Sequence, residues 1–495
     1  MSDVTRFGLV IGVVSVAMLA ALLSSRLSER SRIPAPAIFL VAAAAASDVW
    51  PGLARIPVVT VQRVVTVALI MLLFDGGMHI GWRRFRAAAG PIVWIGVVGT
   101  FLTTGGIAVA AHAVFGFGWL AALLLGAALA PTDPAVVFSV LGRQVISGRT
   151  GVLLEGESGV NDPVGIALMA SLLAAGTAGG WHAVGTGAAE FALEMAVGAA
   201  VGAAGGSLLG LLMQRVPLPS GALYPLRTAA AAGVIYALAS VAHGSGFLAV
   251  FIAGILVGDL RAPYKAEIER FHSSLASLAE ITAFTVLGLT ITLGSYTHGD
   301  AWLVGLALAA LLTAVIRPAL VGLLLVPIRM RLGERLFVTW SGLKGAVPIL
   351  LGTYLFTADV ADAGRLYQIV VLVVAFSVIV QGGLVPYVAR RAGVAMRTVE
   401  PEPWSLGVRF QHEPSGLHRH VVGAGAPADG STVADLALGE DAWISLLTRD
   451  GHLVQVRGDT DLHAGDEVLV LAEPDSDVDL PYLFTGSTER PGPRP

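Results

Sequence analysis

Four short segments carry ionisable side chains into otherwise apolar sequence. Ala130-Pro131-Thr132-Asp133-Pro134 sets a carboxylate between two prolines inside an apolar run. Each proline removes a backbone donor and disrupts a helix. Carbonyls freed in lipid must then find partners inside protein or beside water. The segment therefore reads as a helix broken at mid-membrane. Asp133 sits at the break, as a cap for the second half, as an ion ligand, or as both. In Glu155-Gly156-Glu157-Ser158-Gly159-Val160-Asn161-Asp162-Pro163, positions 157, 158, 161 and 162 fall largely on one side of a helix. A cluster of oxygen donors suits a hard cation such as Na⁺ or K⁺. A capped helix start at the membrane surface accounts for Glu155 but less well for Asp162, which apolar sequence follows at once.

Arg317, in Thr313-Ala314-Val315-Ile316-Arg317-Pro318, lies deep in another apolar run. A buried guanidinium needs an anion, and Glu157 is the candidate. The plainer reading is an arginine reaching for the interface. Trp340-Ser341-Gly342-Leu343-Lys344-Gly345-Ala346-Val347-Pro348 has the glycines and proline of a second broken helix. Lys344 is placed to offset the negative ends of half-helices at a crossing. Asp75, His79 and Asp259 close apolar runs and read as interfacial. Glu190 and Glu194 read as a solvated face, and His243 as part of a loop. Glu280, mid-run, stays open as a functional candidate.

The elements that must hold these residues follow from composition. The chain has 495 residues, 55% hydrophobic and 13% charged, with a mean hydropathy of +0.76. Ordinary soluble proteins carry roughly 25% charged residues, so the chain belongs in lipid and not among soluble enzymes. It has no cysteine, which excludes disulfides, thiolate metal sites and cysteine nucleophiles. Apolar runs at 7–25, 34–47, 58–80, 90–114, 118–141, 158–178, 187–213, 222–242, 246–259, 272–296, 301–327, 335–357 and 366–389 predict about thirteen transmembrane helices. The first run is read as a retained span and not a cleaved leader, because its start is barely basic.

Basic residues alternate along the connections. Odd ones hold Arg26, Arg30 and Arg32; Arg83, Arg84 and Arg86; Arg143 and Arg149; Arg215; Arg261, Lys265 and Arg270; Arg329, Arg331 and Arg335; and Arg390, Arg391 and Arg397. Even ones hold little beyond Arg55 and Arg365. Cytoplasmic loops collect such residues, so the N-terminus is expected outside and the C-terminus in the cytoplasm. The broken fifth and twelfth runs lie seven apart. An odd offset inverts orientation, the mark of an inverted repeat built from spans 1–6 and 8–13.

The expected fold class is all-α and polytopic, with inverted repeats, two broken crossing helices and a small cytoplasmic α/β domain. The expected divisions are a transmembrane domain at 1–397, a linker at 398–403, the cytoplasmic domain at 404–485 and a disordered tail at 486–495. Within the cytoplasmic domain, Ala442–Leu447, Leu453–Arg457 and Glu467–Leu471 read as strands, with turns at Asp450-Gly451 and Gly465-Asp466.

Leu-Phe-Asp-Gly-Gly (73–77), Pro-Thr-Asp-Pro (131–134), Glu-Ser-Gly-Val-Asn-Asp-Pro (157–163), Phe-Ile-Ala-Gly-Ile-Leu-Val-Gly (251–258) and Gly-Leu-Lys-Gly-Ala-Val-Pro (342–348) occur in this order on these spans. Together they resemble the monovalent cation:proton antiporter superfamily, in its NhaP-type sodium/hydrogen exchanger branch. The nearest likeness is the cell-volume-regulation (CvrA-like) type, which implies K⁺ as the favoured cation and Na⁺ as the next. Val433–Leu471 resembles the C-terminal half of a TrkA-C or RCK-C regulatory domain. That implies dimerisation and a nucleotide or other small regulator.

The resemblance implies that Asp162 is the cation- and proton-binding carboxylate, with Asn161 its neighbour. It further implies that Asp133 and Thr132 shape the site and that Ser158 supplies a ligand oxygen. The transported cation would thus sit among Asp162, Asp133 and Ser158. Glu157 and Arg317 would form a structural ion pair, and Asn161 resembles the electroneutral branch. Lys344 stands where many relatives carry arginine, and both are cationic. The implied protein exchanges a cation for H⁺ by alternating access at a bacterial inner membrane. It serves pH, K⁺ and volume homeostasis with no enzyme activity, cofactor or nucleic-acid partner, and its expected partners are membrane lipid and a second copy. The alternative is a cation channel regulated by its cytoplasmic domain, although the chain has no Thr-Val-Gly-Tyr-Gly pore loop.

Overall fold

The computed structural model describes residues 34–50, 52–141, 144–146, 148–178, 181–297, 299–398, 416–436, 438–439, 442–450, 452–473 and 479–486. The expected first span (7–25), most of the linker and the expected tail beyond residue 486 lie outside the described residues. The chain divides into two compact units, residues 1–401 and 402–495.

The first unit is helical. In chain order its helices are α1 (Ala35–Val49), α2 (Val58–Val93), α3 (Thr100–Phe115), α4 (Trp119–Leu129), α5 (Pro134–Leu141), α6 (Arg149–Ala178), α7 (Trp181–Arg215) and α8 (Leu223–Val241). They continue with α9 (Gly246–Gly258), α10 (Lys265–Gly288), α11 (Ala301–Leu311), α12 (Arg317–Leu324), α13 (Leu332–Trp340), α14 (Ala346–Thr357), α15 (Ala363–Phe376) and α16 (Gly382–Arg391). Each expected run among the described residues overlaps a helix.

Among the described residues, five helical stretches are long and apolar enough to cross a membrane: 58–115, 149–176, 187–215, 301–324 and 363–391. The bent pair α4–α5 makes a sixth. The 58-residue stretch has length for two passes, and Gly81 (φ 66, ψ 162) turns the chain within it. α1, α9 and α14 are apolar but short. A helix enclosed by other helices has its apolar requirement met by protein as well as lipid, so length and hydropathy undercount it.

Two expectations need adjusting. The sixth helix begins at Arg149, nine residues before the apolar run. The early turns are polar in sequence yet packed: Gly156 lies against Ile92 and Gly159 against Phe251, so close that a Cβ would collide. The tenth ends at Gly288, and a separate 3₁₀ turn follows at Leu293–Thr297. The fifth and twelfth runs, by contrast, are each two helices, interrupted where the sequence predicts a break.

Two groups of helices form the unit. In one, α9 and α10 pack along α2, and α10 also packs on α1. Phe74 meets His272 ring to ring, and Ser273 donates to Asp75, so this group holds the first part of α2. In the other, α4 packs on α3 and α6, and α11 on α15. Wide π-helical turns interrupt this second group at Trp94–Gly99, Leu312–Ile316 and Ser377–Gln381. Such turns often mark functional positions. A short antiparallel pair, β1 (Gln144–Ile146) with β2 (Met396–Thr398), ties the loop after α5 to the chain after α16.

The second unit is an antiparallel β domain with one short helix, α17 (Leu480–Thr485), among the described residues. This corrects the expected α/β layering. Its strands are β3 (Leu417–Val421), β4 (Ala442–Arg449), β5 (His452–Val454) and β6 (Glu467–Ala472), in the order β3-β6-β4-β5. β4 ends at Arg449 and β5 begins at His452, with Asp450 left-handed at φ 50 after β4. β3 was not among the expected strands, because Leu-His-Arg-His-Val shows too little apolar alternation. Ile444, Leu447, Val468, Val470 and Phe484 are among its buried core.

Candidate ion-binding site

Two interrupted helices meet inside the first unit. The chain leaves α4 at Ala130, passes Pro131-Thr132-Asp133 and re-enters a helix bent by 40°. Asp133 Oδ1 accepts the Ala135 N–H at 2.9 Å, so it caps α5. The second interruption, Ser341 to Gly345, separates α13 from α14. The Asp133 N–H donates to Leu343 O at 2.8 Å. The Lys344 ammonium donates to Ala130 O and Pro131 O, each at 3.1 Å. The carbonyls opened by one break are thus satisfied by a cation from the other, as a low-dielectric site requires. Lys344 is 1% exposed.

Glycine is needed at this crossing. A Cβ on Gly345 would overlap the Asp133 carboxylate, and one on Gly342 would overlap the Arg317 guanidinium. A side chain at 345 would push the two breaks apart, and one at 342 would displace the guanidinium.

α6 brings its polar face to the same place. Asn161 Nδ2 donates to Thr132 Oγ1 at 2.7 Å, and the Thr132 N–H donates to Asn161 Oδ1 at 3.4 Å. Asn161 therefore clamps the first break and fixes the register of Asp162 beside it. Asp162 and Ser158 are buried, one turn apart. Glu157 points elsewhere: its Oε1 accepts from the Arg317 guanidinium at 2.8 Å, with both side chains buried. Arg317 Nε also donates to Thr339 O at 2.9 Å, and the same guanidinium reaches Val338 O at 3.4 Å. The arginine thus binds α6 to the end of α13, and it does not reach an interface.

A cavity of about 470 Å³ reaches Asp133, Ser158 and Asp162. It is also bordered by Asp75, His79 and Glu155, and the His79 side chain is half exposed. Glu280 also lines it. Asp75 and His79, 3.3 Å apart, were read as interfacial, and Glu155 as part of a surface helix start. All three border the cavity, because α2 and α6 converge there. Sequence reasoning missed Ser377 and Gln381. Ser377 Oγ accepts the Lys344 N–H, and Gln381 Nε2 donates to Trp340 O, so both brace the second break. A glutamine in the apolar run at 366–389 was the available signal.

The arrangement offers carboxylate and hydroxyl oxygens to a hard cation at buried positions on a cavity wall. A buried, membrane-embedded carboxylate at two crossed, interrupted helices is the arrangement of a secondary ion transporter. The chain belongs to the sodium/hydrogen exchanger family, whose transmembrane domain matches residues 14–391. The TrkA-C domain matches residues 417–477. Among relatives, the K⁺/H⁺ antiporter NhaP of Alkalimonas amylolytica is 32% identical over 96% of this chain and 83% of its own length. The K⁺/H⁺ antiporter NhaP2 of Shewanella oneidensis is 31% identical over 95% and 82%. The Na⁺/H⁺ antiporter NhaH of Halobacillus aidingensis is 27% identical over 67% and 83%. In fold, the chain is similar to the sodium proton antiporter MjNhaP1 of Methanocaldococcus jannaschii, with a TM-score of 0.64, 22% identity, and coverage of 78% of this chain and 99% of that one.

Proposed function

We propose that Asp162 is the carboxylate at which this monovalent cation:proton antiporter trades its two ions, K⁺ first and Na⁺ second. The observation that carries this is the burial of Asp162 at the crossing, beside Asn161 clamped to Thr132 and at the inner end of a cavity. A bare carboxylate out of water is costly. Asp162 therefore holds either a proton or a cation, and competition for one group couples the two. Thr132, Asp133 and Ser158 complete the oxygen shell, with Asp162, Asp133 and Ser158 holding the cation. Glu157, Arg317 and Lys344 hold the helices that carry it. Rocking of one helix group against the other exposes the site to each side in turn.

The names of relatives that cover nearly the whole chain favour K⁺, and they favour exchange over the regulated channel. Thirteen crossings agree with the overlap of every described run with a helix. The inverted repeat gains support from paired irregularities: the interrupted α4–α5 and α13–α14, and π turns in the fourth and eleventh spans. The remaining parts of the reading are an electroneutral cycle, a homodimer in a bacterial inner membrane with its N-terminus outside, and a cytoplasmic domain at 404–485 reached through a linker at 398–403. That domain takes a small regulator. Arg83, Arg84 and Arg86, which follow His79 on α2, support a cavity mouth on the cytoplasmic side.

The test is dissipation of an imposed pH gradient in everted vesicles, with K⁺, Na⁺, Li⁺ and Rb⁺ compared side by side. The wild type responds to K⁺ most strongly, and Asp162→Asn to none. A response in Asp162→Asn that matches the wild type sinks the assignment.

A further inference from the structure

The cavity has carboxylates on both walls. Asp133 and Asp162 belong to the group of interrupted helices. Glu280 belongs to α10, which packs on α1 and α2 in the other group. Its Oε1 is buried and has no hydrogen-bond partner. No cation is paired with it among the described residues. A buried acceptor left without a donor is unfavourable, and such a group in a native fold calls for a proton, a water or an ion to meet it. The residue sits mid-helix in an apolar segment, where an acidic side chain has no structural use unless something partners it.

We propose that Glu280 is a second cation-holding carboxylate, one that acts only while the cavity is open at its His79 end. The inference rests on the exchange reading above and names how that site is loaded. A cation entering past His79 meets negative charge from both walls, Glu280 on one and Asp162 on the other. When one helix group rocks against the other, Asp162 travels with its group and Glu280 stays with α10. The cation leaves Glu280 behind and is held from the far side by Asp162, Asp133 and Ser158 alone. Capture from the cytoplasmic face is therefore helped by a charge that capture from the other face lacks. Coulomb attraction over a few ångströms in a partly dehydrated cavity is enough for a several-fold difference in half-saturation.

The experiment compares the full chain in everted and right-side-out vesicles, with K⁺ as the varied ion and gradient dissipation as the readout. Glu280→Gln is expected to raise the half-saturating K⁺ concentration roughly five-fold in everted vesicles and to leave it unchanged in right-side-out ones. Glu280→Asp restores most of the loss, and Glu280→Ala, made in parallel, repeats the one-sided defect. A purely structural role predicts equal losses in both orientations. Equal losses, or no change in either, overturn the proposal. Failure of the underlying reading is separate: it is a wild type that dissipates no gradient, or an Asp162→Asn that still does.

Discussion

The two interrupted helices solve the same problem with opposite chemistry. The break between α4 and α5 leaves open carbonyls at Ala130 and Pro131, and its own carboxylate caps the half-helix that follows. The break between α13 and α14 carries no carboxylate. It contributes an ammonium, two glycines and a carbonyl at Leu343 that accepts from Asp133. Each break thus makes good what the other lacks. The acidic member brings a carboxylate to the crossing, and the basic member brings the donor that holds the opened carbonyls in place. An isolated break of either kind would leave unsatisfied backbone groups in lipid, at several kcal/mol each.

Replacing Lys344 attacks this complementarity most directly. Lys344→Met is expected to abolish gradient dissipation and to lower unfolding stability by about 3 kcal/mol, because two buried carbonyls lose their donor. Lys344→Arg retains part of the activity. Vesicle transport and thermal melting in detergent check both, and wild-type transport in Lys344→Met ends the comparison. Gly345→Ala comes next: exchange falls by at least ten-fold as the Asp133 carboxylate is displaced. Gly364→Ala, at a position with open space around it, serves as the control that stays active.

Arg317→Ala asks whether the second break also depends on its tie to α6. It leaves Glu157 buried without its partner and costs about 3 kcal/mol. Adding Glu157→Gln removes the orphaned charge and recovers part of the melting temperature. No recovery in the double variant would show that the guanidinium works through Thr339 and Val338 alone.

The smallest effect on transport is expected in the second unit, where a different arginine–carboxylate pair closes a turn. Arg449 grips Asp466 with two hydrogen bonds, of 2.8 and 2.7 Å, and the His463 N–H adds a third at 2.8 Å. Burial pushes the Asp466 carboxyl up, but the Arg449 fork and the His463 amide outweigh it and hold it below its ordinary value of 3.8. Stability from this group is complete above about pH 4 and is lost as pH falls through the depressed folded value. Arg449→Ala lowers the acid resistance of the second unit and moves its loss to higher pH. Limited proteolysis of the full chain across a pH series reads this out, while basal exchange in vesicles stays within two-fold of the wild type.

Much of the first unit was legible because lipid imposes a simple rule. Apolar runs of sufficient length become helices, arginines mark alternate connections, and prolines beside a carboxylate mark a break. Asp133, Glu157, Asn161, Asp162, Arg317 and Lys344 stood out for the same reason: ionisable and amide groups are rare at such depth. The β domain was less legible, because its edge strand β3 mixes histidines and arginine with only two apolar residues. Ser377 and Gln381 were overlooked because each is a single uncharged polar residue whose partners lie more than thirty residues away.

By itself, then, the order of residues determined which groups enter the membrane and where its helices must yield, since both follow from local hydropathy and from backbone donors that proline cannot supply. Tertiary structure alone decided what those groups face. Glu157 meets Arg317 across 160 residues and Lys344 meets Ala130 across 214, and Asp75, His79, Glu155 and Glu280 border one cavity with Asp162. Such meetings depend on how helices distant in the chain cross, and close crossing depends on shape, down to the missing side chains of Gly342 and Gly345.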